Sequence, residues 1–169
     1  MAAGDRISFS IIRLFHEKLY GLTKDPGPPL KTAGLTPGQT VLEVGCGPGF
    51  FTIPASEMLG DEGRLVAIDV NPYAVEHVQR KLAAAEVTNA SVHLADATAT
   101  GFEDGSFDAV FVFGLPRARG GGFDGLWPEL HRVLRPGGTL AFEGSREPPD
   151  GLFSREARGG DVYRYRRVD

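Results

Sequence analysis

The sequence predicts an α/β fold: a doubly wound, mostly parallel sheet with helices on both faces. Two observations carry this. Short apolar runs alternate with stretches whose apolar residues recur at helical spacing. A glycine-rich turn, Gly45-Cys46-Gly47-Pro48-Gly49, stands directly after the first of those runs. The composition suits one packed domain of 169 residues, 41% of them apolar. The formal net charge is −4, with 18 basic against 22 acidic residues, so the chain as a whole is no electrostatic trap for nucleic acid. A single cysteine excludes an intrachain disulfide and a multi-cysteine metal site. No apolar run approaches the roughly 18 residues of a membrane span. The opening residues, Met1 to Arg6, do not read as a secretory signal. The expectation is therefore a cytoplasmic, single-domain protein with no membrane span.

Ile7, Ile11, Leu14, Phe15, Leu19 and Leu22 mark one face of a first helix. Pro26, Pro28, Pro29 and Pro37 then suggest a connector with one short turn around Leu30. Residues 40–44 read as a buried strand, and the glycine turn stops it. Phe51, Ala55, Met58 and Leu59 return to helical spacing, with the helix expected to begin near Pro48. Residues 64–69 form a second strand. Asn71-Pro72 opens a helix, since Asn caps well and Pro needs no N–H at the first helical position; Val75, Val78 and Leu82 are its inner stripe. Third and fourth strands follow at 91–94 and 107–113, joined by a link of only ten residues. Phe123, Leu126, Trp127, Leu130, Val133 and Leu134 share a helix face, which Pro136-Gly137-Gly138 ends before a fifth strand at 139–143. In the tail, Tyr163 and Tyr165 alternate with Val162, Arg164 and Arg166, the period of a final, charged edge strand.

In such a sheet ligands bind at the C-terminal strand ends, where the strand order reverses, and the glycine turn lies there. Glycines allow a sharp turn and close backbone approach to a ligand. A dinucleotide fingerprint would need glycine at position 50, which is Phe50, and a nucleotide-hydrolase loop would need Gly-Lys-Ser/Thr. Here an acid, Glu43, precedes the turn instead. An anion disfavours a pyrophosphate and favours a sulfonium or ammonium. Asp69 ends the second strand, where a carboxylate can accept both hydroxyls of a ribose. Asp96 ends the third and can accept from an adenine amino group.

Val41-Leu42-Glu43-Val44-Gly45-Cys46-Gly47-Pro48-Gly49 resembles the first motif of the class I S-adenosylmethionine-dependent methyltransferases. The likeness continues through residues 67–72, 95–97, 104–110 and 129–138, and covers roughly 36–144. It is nearest to the subgroup that includes ubiquinone/menaquinone biosynthesis methyltransferases. The resemblance implies a Rossmann-like sheet, S-adenosylmethionine as cofactor, and roles for particular residues. Gly45, Cys46, Gly47 and Gly49 would form the turn along the methionine part, with Glu43 as the motif's acid. Asp69 would hold the ribose, with Val70 and Asn71 beside the adenosine. Asp96 and the Ala97 backbone would take the adenine, and Phe113 and Gly114 would face the reacting methyl. It also implies a division into an N-terminal helix and connector acting as a lid (1–35), a cofactor-binding core (36–144) and a short C-terminal strand region (145–169). There the chain departs from the family's usual helix and two-stranded hairpin: only about 25 residues follow Gly144, and a shortened or incomplete hairpin is expected. His16 and Tyr20 are the lid candidates, against the alternative of a partly exposed helix face.

For the acceptor the residues mainly exclude. The Asn/Asp-Pro-Pro-Tyr/Phe of amino-group methylases is replaced after strand four by Gly114-Leu115-Pro116-Arg117. Cytosine C5 chemistry needs a nucleophilic cysteine after strand four, whereas Cys46 lies in the glycine turn. Arsenite methylation by the usual route needs several cysteines, and no carboxylate cluster suggests magnesium. Arg117 and Arg119 are either an attraction for an anionic acceptor or solvated loop charges. No catalytic base declares itself, and the expected acceptor is a small molecule. The rival readings are a non-catalytic S-adenosylmethionine-binding subunit and a nicotinamide-dependent oxidoreductase.

Overall fold

The structure, a computed structural model, describes residues 25–114, 125–145 and 147–169. The expected first helix with His16 and Tyr20 lies outside them, as do Phe123, Arg117, Arg119 and the glycines Gly120, Gly121 and Gly122. The described elements are α1 (Gly27–Ala33), β1 (Thr40–Val44), α2 (Thr52–Leu59), β2 (Arg64–Asp69), α3 (Pro72–Ala84), β3 (Ala90–Leu94), β4 (Phe107–Val112), α4 (Leu126–Val133), β5 (Leu134–Glu143), β6 (Phe153–Gly159) and β7 (Val162–Arg167).

The seven strands form one sheet in the order β3-β2-β1-β4-β5-β7-β6. The first five are parallel, and β7 runs antiparallel to both β5 and β6. The order reverses between β1 and β4, so the glycine turn stands at the switch point. Side chains alternate across the sheet. Leu42, Val110, Leu140 and Tyr165 pack with Leu126, Trp127, Leu130 and Val133 of α4 on one face. Val41, Phe111, Ala141 and Val162 pack on the other with Leu30 and Ala33 of α1 and with Ala55 and Leu59 of α2. Ala67 and Val92 meet Val75, Val78 and Leu82 of α3. By the same alternation Glu43, Asp69 and Glu143 keep the parity of Val41, Ala67 and Ala141.

Several expectations need correction. The prolines near Leu30 sit inside α1: Pro28 and Pro29 occupy its first turn, where the missing N–H groups have no helical partner to lose. Helix α2 starts at Thr52 rather than near Pro48, because Gly45, Gly47 and Gly49 all hold positive φ angles that no α-helix contains. Strand β5 begins at Leu134, directly from α4, and the Pro-Gly-Gly stretch is an irregularity within its pairing to β4. The tail holds two strands where the alternation marks only one: β6, with seven residues, and β7, with six, pair as an antiparallel hairpin. The arginine-bearing strand β7 is interior to the sheet, and β6 is the edge. In keeping with its length of ten residues, the link from β3 to β4 crosses the sheet without a helix and carries a bridge between Asp96 and Ala99. Helix α1 packs against the sheet, with Leu30 fully buried; residues 1–24 of the stretch expected to act as a lid lie outside the described residues.

Candidate functional site

The C-terminal ends of β2, β1 and β4 surround a cavity of about 280 Å³. Its walls come from Val44 to Pro48, Phe50 and Phe51, Ile68 to Asn71, Ala74, Ala95, Ala97, Phe113 and Gly114. Nine of the sequence-derived site residues meet there: Gly45, Cys46, Gly47, Asp69, Val70, Asn71, Ala97, Phe113 and Gly114. Glu43, Gly49 and Asp96 do not line it. Phe50 and Phe51, absent from the sequence-derived set, form an aromatic wall. Their rings meet edge-on at 4.9 Å, and Phe51 meets Phe113 at 5.1 Å.

Asp69 organises the turn. Its Oδ2 accepts from Gly47 N at 2.9 Å and its Oδ1 from Asn71 N at 2.8 Å. One carboxylate thus joins the glycine turn to the start of α3, and a carboxylate has acceptor capacity left for a ligand. Gly45 N and Cys46 N both donate to Ile68 O, which seats the turn on β2. Asn71 caps α3 by accepting from Tyr73 N at 3.0 Å. Gly47 and Gly114 line the cavity, and a Cβ on either would meet no atom within 4 Å. These two glycines leave that space open for a ligand.

Glu43 lies beneath the turn, 3% exposed, and its Oε2 has no hydrogen-bond partner among the described residues. Burial pushes its carboxyl up to about 8, and the Asp69 carboxylate adds to the rise; Thr52 and Lys81 pull the other way. Burial also drives the Cys46 thiol far above its ordinary value, with the Glu43 and Asp69 carboxyls acting in the same direction. A thiol held protonated is no nucleophile at neutral pH.

Asp96 is exposed and engaged locally: Thr98 N and Thr98 Oγ1 donate to its Oδ1 at 2.8 and 2.7 Å. Those bonds hold its carboxyl below the usual range. The segment after Asp96 is fixed from α4. Glu129 Oε1 accepts from Thr100 N at 2.8 Å and Thr100 Oγ1 at 2.6 Å. Arg132 donates to both Glu129 oxygens and to Asp104. The Arg132 hydrogen bonds, with Thr100 adding to them, lower the Glu129 carboxyl to about 2. This cluster steadies the Ala95–Ala97 wall, and the sequence signalled it only as charges within a helical pattern.

Among the described residues, the cavity therefore offers apolar and aromatic walls, one carboxylate and a backbone cradle, and neither Lys nor Arg lines it. That suits a ligand with an apolar, hydroxyl-bearing part and a positive charge, and disfavours a pyrophosphate.

Comparison with known proteins agrees. Residues 41–138 match the model of the methyltransferase domain family. The chain is 30% identical over 125 residues to a demethylmenaquinone methyltransferase of Shouchella clausii, covering 73% of this chain and 52% of that one. It is 32% identical to one from Staphylococcus epidermidis, covering 73% and 50%. The chain spans about half the length of these curated relatives. Among solved structures, a SAM-dependent methyltransferase from Aquifex aeolicus superposes with a TM-score of 0.72 at 24% identity, over 94% of this chain and 97% of that one. A putative S-adenosyl-L-methionine-dependent methyltransferase from Methanococcus maripaludis gives 0.74 at 17% identity, over 98% and 93%. The chain belongs to the methyltransferase domain family and has the α/β fold of its S-adenosylmethionine-dependent class.

Proposed function

We propose that this protein transfers the methyl group of S-adenosylmethionine to a small-molecule acceptor by in-line displacement. The observation that carries the reading is the Asp69 carboxylate, tied to Gly47 and Asn71 in a cavity that, among the described residues, is lined by no Lys or Arg. S-adenosylmethionine supplies a methyl on a sulfonium, which is already activated towards a nucleophile. This chain's residues then bind and orient, and orientation supplies much of the acceleration of such a reaction. Asp69 accepts the ribose hydroxyls, Val70 and Asn71 flank the adenosine, and the 45–49 turn carries the methionine part. Phe50, Phe51 and Phe113 exclude water from one wall. The small-molecule acceptor is supported by relatives named for demethylmenaquinone and nocamycin. An arsenite methyltransferase is also among them, but this chain's single, buried cysteine does not suit that chemistry.

Thermal melts with S-adenosylmethionine, S-adenosylhomocysteine and NAD test the reading. A ligand at 100 times its Kd stabilises by roughly 2.7 kcal/mol. The expected result is a shift of several degrees with both adenosyl ligands, absent in a folded Asp69→Ala variant. A shift with NAD alone, or with nothing, overturns it.

A further inference from the structure

Strand β5 ends beside the turn that leaves β4. Val112 pairs with Phe142 in parallel register, so Glu143 stands next to Phe113. Glu143 Oε2 accepts a hydrogen bond from Gly114 N at 2.7 Å. Gly114, at φ 65°, and Phe113 form the wall of the cavity farthest along the sheet from Val70 and Asn71. The end of β5 is itself anchored: Glu143 pairs with Val162, and Gly144 N donates to Asp161 O at 2.9 Å. A half-buried carboxylate is thus held one backbone turn outside the cavity, on the same face of the sheet as Asp69.

We propose that Glu143 is a positioning residue that also sets ligand selectivity. Through Gly114 N–H it fixes the Phe113–Gly114 turn, and its charge favours a cationic ligand group at that end of the cavity over a neutral one. The proposal rests on the S-adenosylmethionine reading above. S-adenosylmethionine carries a sulfonium, and S-adenosylhomocysteine carries a neutral thioether in its place. A fixed anion nearby lowers the energy of the first and not of the second. Selectivity of that sign retains the methyl donor and lets the spent cofactor leave.

The test is calorimetric titration of the full chain with each ligand separately, for wild type, Glu143→Gln and Glu143→Asp. Gln keeps an oxygen for Gly114 N–H and removes only the charge. Asp keeps the charge and draws it back by one methylene. The ratio of the S-adenosylhomocysteine Kd to the S-adenosylmethionine Kd is expected to fall about three- to tenfold in Glu143→Gln, and to stay within about twofold of wild type in Glu143→Asp. A Gln variant that keeps the wild-type ratio shows a purely structural role and overturns the proposal. An Asp variant that loses the ratio as far as Gln does also overturns it, since charge is then not the cause. Melting curves establish folding, and should the Gln variant be unfolded, Glu143→Asn against Glu143→Asp carries the same comparison. A wild-type protein that binds neither ligand overturns the S-adenosylmethionine reading and this proposal together. Wild-type binding with an unchanged ratio in Glu143→Gln overturns this proposal alone.

Discussion

The Lys81 ammonium donates to the Gly49 carbonyl at 3.0 Å, and to the Pro48 carbonyl at the same distance. A side chain from the second half of α3 thereby grips the glycine turn from behind, 32 and 33 residues away in sequence. The turn has three positive-φ glycines; Asp69 and Ile68 hold its first half, and Lys81 holds its second.

Replacing Lys81 with Met keeps most of the stem and removes the grip. Hydrogen bonds from a charged donor are worth about 1.5–3 kcal/mol. At ~2–4 °C per kcal/mol the melting temperature should fall by several degrees. S-adenosylmethionine affinity should fall about five- to tenfold, since the turn must then be ordered on binding. Unchanged affinity in a destabilised variant would show that the turn is stiff without Lys81.

Glu43 predicts a pH dependence. Its folded pKa of about 8 lies above the ordinary 4.5. The folded state therefore holds a proton that the unfolded chain has released, and stability falls as pH rises through that interval. The contribution is complete below about 4.5 and gone above about 8. Glu43→Gln, neutral at all pH, should melt close to wild type at pH 4.5. At pH 8.5 it should melt at least ~2–4 °C higher, a difference of about 1 kcal/mol or more. Equal melting differences at both pH values would show that the carboxyl ionises without penalty.

Glu129 has the opposite sign. Its folded pKa of about 2 lies below 4.5, so its contribution is present above about 4.5 and lost as pH falls towards 2. Glu129→Ala leaves Thr100 N and Thr100 Oγ1 without this acceptor and leaves the Arg132 guanidinium with Asp104 alone of its two carboxylate partners. The expected cost is about 2–3 kcal/mol at pH 7, shrinking at pH 3. Denaturant melts at the two pH values measure it, and hydrogen exchange should show the 95–100 segment opening first.

Gly47→Ala tests the cradle. The residue sits at φ 50°, where a side chain costs about 1–2 kcal/mol, and its Cβ would enter open space in the cavity. The variant should fold with a melting temperature a few degrees lower and lose the shift caused by S-adenosylmethionine. A retained shift would place the ligand away from the turn.

Much of this was legible beforehand because it is local. Strands β1, β2 and β4 are short, mostly apolar runs buried on both faces, and the Asn71-Pro72 start of α3 depends on two adjacent residues. Asp69 and Gly47 followed from their positions at strand ends, and Gly114 from the family resemblance. Strand β6 did not follow: it reads Phe-Ser-Arg-Glu-Ala-Arg-Gly, has a register shift between Arg155 and Ala157, and is an edge with no apolar alternation to betray it. Lys81 was hidden for a different reason. A lysine on a helix reads as a solvated face, and its partners here are backbone carbonyls that carry no side-chain signature. Glu143 was concealed likewise, because its partner is the Gly114 amide. That the Asp96 carboxyl also accepts from its own turn through Thr98 had no signal in the sequence beyond their spacing of two.

The placement of β7 between β5 and β6 has a consequence for how the chain is made. A ribosome delivers β6 before β7, yet β6 has no strand to join until β7 has docked on β5. Until Val162–Arg167 emerges, the nascent protein presents a bare β5 margin and an orphan segment at 153–159. Such a margin is a template for pairing with another chain. Ribosome-arrested chains ending before Val162 should therefore recruit holdase chaperones, and release them once residues 162–167 clear the exit tunnel.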